Sequence, residues 1–263
     1  PATVHVHGIE STPPAADPTG PTDPPASLDY TTMFSPYIDM AMTVAADLGG
    51  ISQASGIKNF TLAFVLDSSQ GIGWQGVGGI ADDGLANGST ILQQVQAIQA
   101  AGGNITISFG GAAGQEAALN VPDAVTLQAE YQSVIDRYHI TSIDFDIEGA
   151  AVVDLHSITL RDQAIVGLQA ANPALEVRFT LPVLPTGLDA NGLALLQHAK
   201  ADGVDIDVVN IMAMDYGPAV NNGGQMGLNA INAAKATALQ LQSLGLDAKI
   251  GITPMIGVND VAG

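Results

Sequence analysis

Polar and apolar positions along the chain follow two alternating patterns. Short runs rich in β-branched and aromatic residues are followed by longer stretches in which apolar residues recur at helical spacing. Most of the short runs are almost continuously apolar, which is typical of parallel strands buried on both faces. They predict seven strands: Tyr37–Ala45, Phe60–Asp67, Asn104–Gly111, Ile140–Gly149, Val177–Val183, Asp207–Tyr216 and Ala248–Gly257.

The stretches between these strands carry helix signals. Ser89 is a predicted N-cap, Gly102 is the predicted end of the same helix, and Pro122 is expected in the first turn of the next one. Regular alternation of strand and helix predicts an α/β fold with a parallel sheet, a (β/α)8 TIM barrel whose eighth strand is missing from this chain. The rival architecture, a doubly wound open sheet, lacks its glycine-rich fingerprint after the first strand. We expect an incomplete chain rather than an open barrel, which would expose two strand edges.

The N-terminal residues differ in composition from the rest. Ser11–Ser27 contains six prolines and predicts an extended linker. The short alternating segment before it resembles the end of a strand, in which His5 and His7 could bind a metal but are more simply exposed. We predict a strand remnant and linker over residues 1–28 and a catalytic barrel domain over residues 29–263. Since the chain begins at Pro1, we expect a processed piece from which any signal peptide has been removed.

Charge and composition exclude several classes of function. The chain has 26 Asp and Glu residues against 7 Lys and Arg residues, which argues against nucleic acid or an anionic membrane as a partner. This acidity fits either a salt-adapted surface or an ordinary acidic secreted enzyme. There is no cysteine, so disulfides and thiol chemistry are excluded, and no apolar run approaches the ~20 residues that span a bilayer. No motif in the sequence predicts a cofactor or a metal site.

Three carboxylates alternate along the fourth predicted strand. Because side chains two residues apart share one face, Asp144, Asp146 and Glu148 form an inward row while the apolar residues between them face the helices. Like charges at this spacing raise at least one pKa, so we expect the row to hold a shared proton. Glu148 is last, at the carboxyl end where barrel active sites lie, and is a candidate general acid. The alternatives are a buried polar network with no catalytic role and a metal site.

This row resembles the catalytic signature Asp-x-x-Asp-x-Asp-x-Glu of family 18 glycoside hydrolases, the chitinases and their relatives. Two further motifs agree. Ile107–Gly111 (ISFGG) is similar to the family's Ser-x-Gly-Gly motif, and Asn210–Gly217 (NIMAMDYG) is similar to its sixth-strand motif in a variant form. The first Asp of the signature is Thr141 here, which lies farthest from the chemistry. The resemblance spans roughly Phe34 to Asn259.

The resemblance implies a retaining hydrolase with substrate-assisted catalysis, an exception to the two-carboxylate rule. Glu148 matches the general acid, and the substrate's own 2-acetamido oxygen replaces an enzyme nucleophile. Asp146 matches the residue that orients the acetamido group, and Asp144 would maintain the proton balance of the row. Asp215 matches the Asp that helps to position the acetamido group.

Five residues are predicted to bind substrate. Met212 and Met214 are expected to line the sugar pocket. Tyr216 follows Asp215 on the opposite strand face and could still reach the cleft where the strand ends, or could instead pack against a helix. Trp74, in a glycine-rich stretch after the second strand, could be an exposed platform for a sugar ring or could hold its own loop in place. Asn259, after the seventh strand, could hydrogen-bond sugar hydroxyls.

The leading interpretation is a secreted, monomeric chitinase that acts on chitin or N-acetylglucosamine oligosaccharides, with no nucleic-acid or membrane partner. An endo-β-N-acetylglucosaminidase acting on protein-linked glycans would share the same motif. A non-catalytic chitin-binding lectin is the third possibility, but such barrels usually lack the residue that Glu148 matches.

Overall fold

The computed structural model describes residues 33–42, 45, 47–217, 220 and 223–257. Residues 1–32 and the binding residue predicted at Asn259 lie outside this part of the chain. The strands are β1 (Tyr37–Asp39), β2 (Asn59–Ser68), β3 (Gly71–Trp74), β4 (Asn104–Gly110), β5 (Ser142–Asp146), β6 (Glu176–Pro182), β7 (Val208–Met212) and β8 (Lys249–Thr253). The α-helices are α1 (Leu48–Ser55), α2 (Ile91–Ala100), α3 (Ala124–Tyr138), α4 (Leu155–Ala171), α5 (Ala190–Asp202) and α6 (Met226–Leu244), and short 3₁₀ helices span Ala117–Leu119 and Gly149–Val152.

The strands form one curled sheet in the order of a barrel. Its path runs β1-β2-β4-β5-β6-β7-β8, and every neighbouring pair on this path is parallel. These seven strands are the ones that the sequence predicts. The (β/α) barrel is therefore confirmed, as a barrel with incomplete closure in which the described residues supply no eighth parallel strand.

The two faces of the sheet have opposite character. Ile143 and Phe145 are at most 1% exposed, and the ring of Phe145 lies 5.2 Å from that of Tyr131 on α3. The opposite face carries polar side chains in register across neighbouring strands, such as Ser108 beside Asp144. The hydrophobic core thus lies between the sheet and its helices, while the lumen of the barrel is polar.

A cavity of about 370 Å³ lies between the first and last strands of this path. Phe34 and Tyr37 line it on one side, Gly251 and Thr253 line it on the other, and Asp144 lies in its wall.

Among the described residues, no helix is both long enough and apolar enough to cross a membrane.

Some predicted boundaries are wrong. The first strand ends at Asp39 rather than Ala45. The Met40 amide donates the last hydrogen bond to β2, to the carbonyl of Ala63, and the chain then turns away. Helix α2 has Thr90 rather than Ser89 as its N-cap, within a reciprocal capping box. Helix α3 is capped by Asp123, which leaves Pro122 outside its first turn.

The glycine-rich stretch after β2 is a strand rather than a loop. β3 pairs antiparallel with β2 as a hairpin, and Trp74 ends it opposite Val65. The indole is 5% exposed, its Nε1 donates to the Tyr138 hydroxyl at 2.7 Å, and the two rings pack edge to face at 5.8 Å. Trp74 therefore holds its own hairpin against α3, and the prediction that it forms an exposed sugar platform is wrong.

Candidate active site

The carboxylates of β5 become more accessible toward the carboxyl end of the strand. Asp144 is 1% exposed and Asp146 is 4% exposed, whereas Glu148 is half-buried. The strand ends at Asp146, but the backbone of Glu148 is still extended (φ −130°, ψ 167°). The alternation of side chains therefore continues past the strand, and the three carboxylates form one row that ends in an open cleft.

Asp144 is held by hydroxyl groups from three other strands. Its Oδ2 accepts hydrogen bonds from Ser108 Oγ at 2.6 Å and from the Tyr37 hydroxyl at 2.9 Å. Its Oδ1 accepts one from Thr180 Oγ1 at 2.7 Å. Burial raises the pKa of Asp144, and these hydrogen bonds together with the charge of Arg178 partly oppose the rise. The base of the row is thus a fixed, well-bonded carboxyl group.

Asp146 occupies a different environment. Its Oδ1 is buried and has no hydrogen-bond partner in the described part of the chain. Burial, followed by the charges of Asp144 and Glu148, raises the pKa of Asp146 well above its usual value. Burial also raises the pKa of Glu148. The row therefore retains protons at a pH at which free carboxyl groups would have released them.

Two consecutive glycines bring β4 close to β5. Gly110 has a φ of +95°, and a Cβ atom there would collide with the carbonyl oxygen of Asp146. The Gly111 amide, at a φ of +93°, donates to that same carbonyl oxygen at 2.9 Å. These glycines allow the backbones of the two strands to approach closely at Asp146.

The cleft above the row has a volume of about 540 Å³. Glu148 lies on one side of it, and Met212, Met214, Asp215 and Tyr216 lie on the other. β7 ends at Met212, and Asp215 adopts a left-handed conformation with a φ of +48°. Strand alternation no longer applies at this point, so Asp215 and Tyr216 both reach the cleft.

Tyr216 is 9% exposed, and its hydroxyl has no hydrogen-bond partner among the described residues. The ring thus belongs to the hydrophobic core while its edge lines the cleft. Further residues in the cleft wall were not predicted from the sequence, namely Ala112, Pro182, Val183, Leu184, Asp189 and Met255. Most of them lie at or shortly after the carboxyl ends of β4, β6 and β8, and this position is the signal that could have identified them.

No protein-family model matches the chain. It is 34% identical over 251 residues to a probable bifunctional chitinase/lysozyme of Escherichia coli, a match that covers 88% of this chain and 27% of that protein. It is 33% identical to endochitinase 11 of Metarhizium anisopliae, with 88% of this chain and 46% of that protein covered. The chain thus spans less than half the length of these two curated relatives.

The match to one solved structure covers a larger share of that protein. The catalytic domain of a hyperthermophilic chitinase from Pyrococcus furiosus superposes with a TM-score of 0.74 at 33% identity, and the match covers 86% of this chain and 73% of that chain. The fold and the carboxylate row define a glycoside hydrolase with a barrel fold. The chain belongs to family 18 of the glycoside hydrolases.

Proposed function

We propose that this chain is a chitinase that hydrolyses β-1,4 bonds between N-acetylglucosamine units with retention of anomeric configuration. The observation that carries the proposal is the row of three carboxylates, buried at Asp144 and open to the cleft at Glu148. Similarity to proteins named as chitinases supports the choice of substrate. A related structure of the Pyrococcus furiosus enzyme is described as a complex with chito-oligosaccharides.

Glu148 acts as the general acid in the first step. Its raised pKa keeps a proton on the carboxyl group, and its half-buried side chain lies at the cleft where the glycosidic oxygen would sit. Proton transfer from Glu148 to this oxygen breaks the bond between the sugar and its leaving group. The carboxylate that results then takes a proton from the attacking water in the second step.

The substrate's 2-acetamido oxygen attacks the anomeric carbon in place of an enzyme nucleophile, and the product is an oxazolinium ion. Asp146 turns toward the acetamido N–H and stabilises the positive charge that develops there, while Asp144 below it accommodates the change in proton distribution. Asp215 and the Tyr216 hydroxyl border the same cleft and position the acetamido group. The methionines Met212 and Met214 form its apolar wall.

The test compares the parent chain with Glu148→Gln on a chromogenic N-acetylglucosamine oligomer. The substitution keeps the size of the side chain and removes the transferable proton, so kcat should fall by at least ~10²-fold. Glu130→Gln is a matched control, because Glu130 is also a half-buried carboxyl group whose pKa burial raises, and it lies outside the cleft wall. Equal activity of the parent and Glu148→Gln would refute the mechanism.

Two further measurements refine the assignment. NMR of the first product formed should show the β-anomer if configuration is retained. Comparison of chitin oligosaccharides with a glycoprotein separates a chitinase from an endo-β-N-acetylglucosaminidase, and binding without turnover would indicate a lectin. We also propose that the protein acts outside the cell, since the proline-rich Ser11–Ser27 segment is typical of enzymes that act on insoluble polysaccharides.

A further inference from the structure

A group of two carboxylates and one imidazole lies between helices α4 and α5. Asp162 of α4 and His198 and Asp202 of α5 each present a possible ligand atom, and these three atoms all lie within 4.8 Å of one another. His198 and Asp202 are four residues apart, so they share one face of their helix. None of the three residues lines the cleft that contains Glu148.

The two separations that involve His198 fit one bound metal ion. Nδ1 of His198 lies 2.9 Å from Oδ2 of Asp162 and 3.6 Å from Oδ2 of Asp202. Zinc bonds of about 2.0–2.2 Å place two ligand atoms of one ion roughly 3–3.5 Å apart, between these two values. Imidazole and carboxylate are both zinc ligands, and His198 and Asp202 remain about one-third exposed, which leaves access for water at a fourth position.

A second observation concerns Asp162 alone. Its side chain is 1% exposed, and its Oδ1 atom is buried without a hydrogen-bond partner among the described residues. A buried carboxylate oxygen that lacks a donor is costly, and such atoms are rare in folded proteins. A cation bound to this carboxylate would supply the missing partner, because carboxylates hold metal ions through one or both oxygens.

The two basic side chains next to this group in sequence make their hydrogen bonds elsewhere. Arg161 donates to Glu116 at 3.1 Å, although its positive charge also acts on Asp162. Lys200 donates to the carbonyl oxygens of Leu244 and Gly245 at 2.6 and 2.8 Å. Because Arg161 is also paired with Glu116, one imidazolium leaves the charge of the two carboxylates only partly compensated, whereas a divalent ion would neutralise both.

We propose that Asp162, His198 and Asp202 form a structural site for a divalent transition-metal ion of the zinc type. The ion would join α4 to α5. Helix α4 begins shortly after Glu148, and helix α5 begins directly after Asp189 in the cleft wall. A metal at this position would therefore stabilise the two helices that border the cleft without taking part in the reaction, and the proposal does not depend on the substrate.

The test titrates zinc chloride into protein that has been stripped with a chelator. Both His5 and His7 are replaced by Gln in every sample, since these two histidines could bind zinc independently. Calorimetry should show one zinc ion per chain, with affinity reduced at least ~10-fold by His198→Gln. His156→Gln, which removes an exposed histidine of α4, is the matched control and should bind as the parent does.

Asp202→Asn provides an independent variant, because it removes one ligand and leaves the bond between His198 and Asp162 in place. It should also weaken zinc binding, which keeps the test valid if His198→Gln fails to fold. At a hundredfold excess over Kd, zinc should raise the Tm of the parent by roughly 5 °C and leave that of Asp202→Asn much less changed. Absence of one-to-one binding at micromolar zinc, or equal affinity of the parent and Asp202→Asn, would overturn the proposal and leave an ion pair only.

Discussion

Two of the buried carboxylates, Glu116 and Asp146, lie in opposite electrostatic environments. Glu116 forms an ion pair at 3.1 Å with Arg161, which is entirely buried, and it also accepts a hydrogen bond from the Tyr131 hydroxyl. Asp146 is buried to a similar degree, but it is flanked by carboxyl groups, and its Oδ1 has no partner in the described part of the chain. A neutralised carboxylate serves the structure, whereas an unneutralised one binds protons tightly and can deliver them.

Loss of the ion pair between Glu116 and Arg161 should produce the largest change in the free energy of unfolding. Arg161→Met leaves the Glu116 carboxylate buried without its cation, and we expect a loss of about 3–5 kcal/mol in the free energy of unfolding. Urea unfolding monitored by circular dichroism measures this change. The double variant Glu116→Gln/Arg161→Met should recover much of the loss, because no unpaired charge is left behind.

The matched comparison for Arg161 is Arg137, whose side chain is 26% exposed in its ion pair with Asp83. Arg137→Met should cost only about 1 kcal/mol, since Asp83 keeps its hydrogen bonds from Tyr138 and from the Leu92 amide. Equal costs for the two substitutions would show that burial of the arginine is not what matters.

An effect smaller than that of Arg161→Met is expected for a buried hydrogen bond between uncharged groups. Trp74→Phe removes the Nε1 donor to Tyr138 and should lower the free energy of unfolding by about 1–2 kcal/mol. Activity toward chitin oligosaccharides should stay close to that of the parent, because Trp74 does not line the cleft. A folded variant with activity reduced more than about tenfold would restore Trp74 as a substrate contact.

The unpaired row should produce an effect of opposite sign, and one that depends on pH. The pKa of Asp146 is raised in the folded protein, so the stability that its bound proton contributes is fully present below the unfolded pKa and is lost as pH rises through the folded value. Asn cannot titrate and avoids that loss. The free energy of unfolding of Asp146→Asn, relative to that of the parent, should therefore increase as the pH is raised from about 4 to about 8. Urea unfolding at both pH values tests this, and a constant difference would show that Asp146 titrates normally.

The difference between local patterns and long-range contacts explains what could be predicted from the sequence. The position of Asp146 in an inward row was predictable, because strand alternation is local and its neighbours at 145 and 147 are apolar. The partners of Asp144 were not, since Tyr37, Ser108 and Thr180 lie on three other strands and meet it only through the register of the sheet. Sequence patterns carry no direct signal for such long-range contacts.

Local backbone conformation limited the other predictions. The reach of Tyr216 into the cleft depends on the left-handed conformation of Asp215, which is not a glycine and gives little warning in the sequence. The β3 hairpin was missed because a strand of four residues with two glycines resembles a loop. Predictions for the residues before Met33 and for Asn259 remain predictions.

Trp74 provides the protein with an intrinsic fluorescence probe. It is the only tryptophan in the chain, and its indole is buried against Tyr138 rather than placed at the cleft. Its emission should therefore report whether the hairpin is docked on α3, with a red shift when that contact opens to water. A fluorescence melt would follow this corner of the barrel, while titration with a sugar ligand should leave the emission spectrum nearly unchanged.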